Sequence, residues 1–105
     1  MAKSGYVYAL INPHIPGLIK IGLTTGTVAN RARELSGGTG VPGQFEILDS
    51  VYVSDCHAAE AEIHRTLSAN GKRVNDNREF FAITPQEAFA ALGDVRQRYI
   101  SASAA

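Results

Sequence analysis

The chain is short of several things. Its 105 residues contain one cysteine, Cys56, so no disulfide can form within the chain, and a reducing cytoplasm is the expected setting. No apolar run approaches the roughly 18 residues needed to cross a bilayer, and no membrane partner is expected. The opening "MAKSGYVY" is too short before its first strand-like run to predict a secretory signal. No internal repeat is present, and the only low-complexity stretch is "SASAA" at 101–105, expected to fray. No His/Cys spacing suggests zinc, and His14 and His57 read as surface residues. Formal net charge is zero, so the field of the whole molecule does nothing to attract a polyanion.

What is present fits one compact domain over 1–105, with 45% of residues hydrophobic. Charge is unevenly distributed. Lys3, Lys20, Arg31 and Arg33 outweigh Glu34 before residue 45, and Arg65, Lys72, Arg73 and Arg78 outweigh Asp76 between 63 and 78. The segment between holds Glu46, Asp49, Asp55, Glu60 and Glu62 without a base. Two basic clusters around an acidic one suit a phosphate site with a metal ligand. Charge alone favours the plainer reading, a mixed soluble surface.

Periodicity orders the chain. "YVYALI" at 6–11 reads as a strand, with Tyr6, Tyr8 and Leu10 on one face and Val7, Ala9 and Ile11 on the other. After the turn residues of "NPHIPG", "LIKIGL" at 18–23 reads as the returning strand of an antiparallel hairpin. It puts Lys20 beside Leu18 and Gly22, away from Ile19 and Ile21. A helix from about Thr27 to Leu35 follows, capped by Thr27 and stopped by "SGGTG". Its stripe is Val28, Ala32 and Leu35, and Arg31 sits within it.

A third strand is expected at 44–53. A second helix, capped by Ser54 or Asp55, runs to about Ala69 and closes at Asn70–Gly71, with Cys56, Ala59, Ile63 and Leu67 inward. Glu60 lies on the side of Ile63 and His64, whereas Glu62 faces away beside Arg65. "EFFAI" is a short extended piece expected to send Phe80 and Phe81 into the core, with Glu79 structural and paired to Arg73 or Arg78. "TPQE" forms a capping box for a last helix over about 85–100, predicted to bury Phe89, Leu92, Val95 and Tyr99. This order predicts an α+β domain with a small antiparallel sheet.

Lys20, Arg31 and Glu60 break the apolar logic of their elements, and Tyr8 stands on the strand that pairs with the one carrying Lys20. A basic pair, a phenol and a helical carboxylate suit phosphodiester hydrolysis. The carboxylate holds a divalent metal through oxygen, and the cation and the arginine neutralise charge on the phosphate. The phenol or the amine, its pKa lowered by neighbouring cations, takes a proton from the attacking water. Each group also has an ordinary reading: a strand tyrosine with a wet hydroxyl, an arginine stem lying over the sheet, a solvated glutamate paired with His64.

The run "GYVYALIN", "IKIG", "RARELS", "AEAEIHRTL" and "REFF", over residues 5 to about 83, resembles the GIY-YIG endonuclease superfamily. The likeness is to its short phage-type branch, which carries KIG in place of YIG. "YVY" at 6–8 matches the first tripeptide and "KIG" at 20–22 the second; Arg31 matches the helical arginine and Glu60 the metal-binding glutamate.

The resemblance implies a central three-stranded antiparallel sheet flanked by helices, in a bacterial or phage-infected cell. It implies Mg²⁺ (or Mn²⁺)-dependent cleavage of DNA, with a homodimer or a targeting partner protein to supply specificity. Tyr8 would position or deprotonate the water, Arg31 bind the scissile phosphate and Glu60 be the main ligand of a single metal. Lys20 would stand where the family has its second tyrosine, with Tyr6, Thr24 and His64 in support. Departures are Lys20 itself, Tyr6 where Gly is usual, and Leu35 where many relatives place a proton-transferring His or Tyr. Asn75 and Asn77 are loose matches to a late asparagine, and neither is assigned. The competing expectation is a catalytically weak or inactive module on the same scaffold, binding nucleic acid or protein.

Overall fold

The computed structural model describes residues 2–38, 43–74 and 79–100. Strand β1 (Gly5–Ile11) and strand β2 (Ile19–Thr24) form the expected antiparallel hairpin, in a register that sets Tyr8 opposite Gly22 and Leu10 opposite Lys20. Helix α1 (Val28–Ser36) follows, then strand β3 (Glu46–Val53), helix α2 (Cys56–Ala69), strand β4 (Phe80–Phe81) and helix α3 (Pro85–Arg98).

The sheet has four strands, in the order β3-β1-β2-β4, all antiparallel to their neighbours. The expected α+β domain with an antiparallel sheet is present, and the strand number is four rather than three. The extra strand is the two-residue β4, which pairs Phe81 with Ile19 and Phe80 with Lys20.

Alternation along the strands separates two apolar clusters. Val7, Ala9, Ile19, Ile21, Val51 and Val53 pack with Cys56, Ala59, Ile63 and Leu67 of α2 and with Ala88, Leu92 and Val95 of α3. On the opposite face Tyr8 and Leu10 pack with Val28 and Ala32 of α1. Helix boundaries follow local chemistry. The side chains of Thr27, Asp55 and Thr84 cap the three helices, and Thr84 and Glu87 complete the reciprocal capping box. Gly71, at φ +72°, turns the chain after α2.

Two core assignments change. Phe89 is 44% exposed, because the α3 stripe facing the sheet keeps the expected Leu92 and Val95 but begins at Ala88. Of the phenylalanine pair only Phe81 is in the core; Phe80 is half-buried and stacks on Phe45, with ring centroids 6.2 Å apart. Asn75, Asp76, Asn77, Arg78 and the 101–105 tail lie outside the described residues. No helix among the described residues is long and apolar enough to cross a membrane.

Candidate active site

The polar residues gather at the edge of β2. Backbone pairing continues one step past β4, where the Ile21 N–H donates to the Glu79 carbonyl at 3.0 Å. The Ile21 carbonyl in turn accepts from His64 Nε2 at 2.9 Å, which ties α2 to the strand. Glu60, one helical turn before His64, arrives at the same place. Donor atoms of Glu60, His64 and Glu79 all lie within 4.8 Å of one another, and all three residues are half-buried.

Lys20 enters this group from β2. Its Nζ stands 3.5 Å from the Glu79 carboxylate and 5.1 Å from the centroid of the Phe80 ring. The Lys20 side chain is only 14% exposed, so this ammonium does not snorkel into bulk water; it is held between a carboxylate and an aromatic face.

Tyr8 is 1% exposed and lies against Gly22, directly opposite it. The space left by the glycine is therefore filled by the Tyr8 ring rather than open to a phosphate. Burial raises the Tyr8 pKa, and the hydrogen bond and charge of Arg31 pull it only part of the way back. The expectation of a phenol acidified by neighbouring cations is thus reversed, because desolvation of the phenolate outweighs them. Arg31 remains outward-facing, with 43% of its side chain exposed, and also meets Glu34 at 3.3 Å. It links the buried phenol to solvent.

Glu60 has its pKa pushed up to about 7, first by burial and then by the like charge of Glu79, with Lys20 and Arg73 opposing. His64 is shifted the other way, chiefly by burial, so its neutral form is favoured. The carbonyl of Ile21 can only accept, so Nε2 carries the proton and the lone pair of the neutral ring is on Nδ1. The ring also packs against Phe81, with centroids 5.0 Å apart.

Lys20, Glu60 and His64 thus gather around Glu79, while Tyr8 and Arg31 form a second pair linked to it only by the charge that Glu79 and Glu60 exert on the phenol. The other two supporting candidates serve local structure. Tyr6 sits edge-on to Tyr52 at 5.1 Å, and Thr24 Oγ1 accepts from the Gly26 N–H at 3.1 Å. Glu62 turns to α3, where Arg98 Nε donates to it at 3.1 Å. Cys56 is fully buried and its thiol is pushed up by burial, away from nucleophilic use.

Glu79 is the residue that sequence reasoning set aside as structural. A signal was present. Strand alternation through "EFF" places Glu79 on the side of Phe81, the side packed by α2, where Glu60 and His64 are one turn apart.

The donor set of two carboxylates and one imidazole suits a divalent cation. Metal–ligand bonds of roughly 2.0–2.6 Å put an ion's ligand atoms at most about 5 Å apart, a span these three groups satisfy. No curated protein and no solved structure matches the chain. Residues 5–96, nearly all of the two packed clusters and the whole of this edge site, match the model of the T5orf172 domain, and the chain belongs to that family.

Proposed function

We propose that this chain is a metal-dependent DNA endonuclease of the GIY-YIG type, hydrolysing phosphodiester bonds. The observation that carries the reading is the meeting of Lys20, Glu60 and Glu79 at one strand edge, coupled to the Tyr8–Arg31 pair. Kinship of the T5orf172 family with nuclease-type domains supports it.

Arg31 is the exposed donor of the group and binds the phosphate, where its planar fork matches two phosphate oxygens. Tyr8 keeps its proton. Buried beside Arg31, it steadies the guanidinium from below rather than acting as a base. Lys20 adds a second positive charge for the phosphorane-like transition state, and Phe80 limits its wandering. Glu60 would hold the cation through a carboxylate oxygen. Bound Mg²⁺ or Mn²⁺ supplies Lewis acidity and an ionisable water. Leu35 stands half-buried in the α1 cluster, so α1 offers no proton carrier one turn after Arg31.

The test is conversion of supercoiled plasmid to nicked or linear forms with Mg²⁺ or Mn²⁺, against EDTA. Cutting by the wild type, lost with EDTA and in Glu60→Gln and Arg31→Ala, is expected. Equal cutting by those variants would contradict the assignment. Zero net charge and the retained Tyr8 proton favour one rival, a binding module with feeble catalysis. It predicts salt-sensitive DNA binding, unchanged by Glu60→Gln, without cleavage.

A further inference from the structure

The geometry points to a cation site with three protein ligands, Glu60, His64 and Glu79, whose imidazole donor selects Mn²⁺ over Mg²⁺. It rests on the reading of Glu60 as the cation ligand and adds two groups that the family resemblance does not assign.

Three observations carry it. The donor atoms of the three residues lie within 4.8 Å of one another on half-buried side chains. Two come from successive turns of α2, and the third, the residue before β4, is held by the Ile21 N–H donating to its carbonyl at 3.0 Å. The second observation concerns the imidazole. Its Nε2 donates to the Ile21 carbonyl at 2.9 Å, which fixes the tautomer with an Nδ1 lone pair. A ligand histidine commonly has this arrangement, with a backbone carbonyl on one ring nitrogen leaving the other, here Nδ1, as the atom that would take the ion. The third is charge. Two carboxylates share a confined space, and the chain answers them with the Lys20 ammonium, 3.5 Å from Glu79.

Ligand chemistry then discriminates between ions. Mg²⁺ demands oxygen ligands and keeps its waters, whereas an imidazole suits first-row transition metals, with Mn²⁺ tolerating both donor types. A Glu–His–Glu set is therefore better matched to Mn²⁺ than a single glutamate would be. Lys20 is the built-in competitor for Glu79, and a bound divalent ion would free it toward the substrate phosphate.

The experiment titrates Mn²⁺ into the full chain, following loss of the free-ion electron paramagnetic resonance signal, with Mg²⁺ as competitor. Wild type is compared with Glu60→Gln, His64→Gln and Glu79→Gln. Glu79 is 38% exposed, so its variant should fold. Gln at 64 keeps a donor for the Ile21 carbonyl, and circular dichroism melts verify folding. Each variant is expected to weaken Mn²⁺ by at least about tenfold. His64→Gln should also shrink the Mn²⁺/Mg²⁺ preference, whereas Glu79→Gln should weaken both ions. Unchanged Mn²⁺ affinity in His64→Gln and Glu79→Gln would overturn the proposal, as would wild type binding Mg²⁺ as tightly as Mn²⁺ or binding neither. Plasmid cutting is scored separately. A chain that cuts but binds Mn²⁺ through Glu60 alone loses this site and keeps the nuclease; one that binds as predicted but never cuts does the reverse.

Discussion

Gly22 shows how tightly single residues are specified at this edge. A Cβ there would lie 2.5 Å from the Tyr8 hydroxyl oxygen and 2.7 Å from the ring carbon that carries it. Tyr8 is buried on all sides and has nowhere to retreat. Gly22→Ala is therefore expected to cost about 1–3 kcal/mol by overpacking. Cleavage should fall at least tenfold because the ring that holds Arg31 is displaced. Urea melts and plasmid cutting measured together would check this; a variant as stable and active as the wild type would show that the contact is dispensable.

Glu60 carries a pH signature. Its pKa rises from the usual 4.5 to about 7 on folding. A raised folded-state pKa stabilises fully below the unfolded value and loses that contribution as pH climbs through the folded one. Wild-type stability relative to Glu60→Gln should thus decline between pH 4.5 and about 7. His64 is depressed by burial and so loses stability as pH falls through its range, but it is common to both proteins and cancels in the difference. Thermal midpoints of the two proteins in EDTA at pH 5 and pH 8 give the measurement. The variant's advantage should grow with pH, and a constant gap would contradict the shift.

At the level of elements, the parts written in local chemistry were legible and the parts that depend on partners were not. Thr27, Asp55 with Asn70–Gly71, and the Thr84–Glu87 box mark helix ends because a cap is satisfied within three or four residues. The β1–β2 faces could be read from a period of two, which placed Lys20 on the Gly22 side. β4 could not. Two residues have no period, and their strand character exists only through pairing with β2. Alternation through "EFF" gives Glu79 the Phe81 side, but its place beside Glu60 exists only once β4 pairs with β2 and α2 packs on that face.

Phe89 failed for a related reason. Phe89 and Ala88 both stand about one turn before Leu92, so spacing alone does not choose between them, and it is the small Ala88 that is buried. The box at α3 also gives an element-scale prediction. Thr84→Ala should cost about 1 kcal/mol through the lost cap. Residues of α3 take no part in the cluster around Glu79, so cleavage below the melting range should be unchanged. A shift of the urea midpoint with full activity checks it, and lost activity in a folded variant would extend the site to α3.

On the scale of the whole molecule, the sheet places two kinds of chemistry on its two sides. α1 brings Arg31 to the Tyr8 face, α2 brings Glu60 and His64 to the other, and Lys20 of β2 reaches Glu79 beside the short β4. With no net charge, the proposed nuclease would have to attract a phosphate backbone by local cations rather than by the overall field, so its binding to DNA should be weak and salt-sensitive. The most direct measurement of the central claim is the single-turnover rate of duplex cleavage by wild type and Glu60→Gln, with DNA affinity taken on the same samples. The account predicts Mn²⁺-supported cutting by the wild type, cleavage reduced at least a hundredfold in Glu60→Gln, on the scale of removing one transition-state group, and affinity nearly unchanged. Equal rates in the two proteins, or binding with no cutting by either in Mg²⁺ or Mn²⁺, would contradict it.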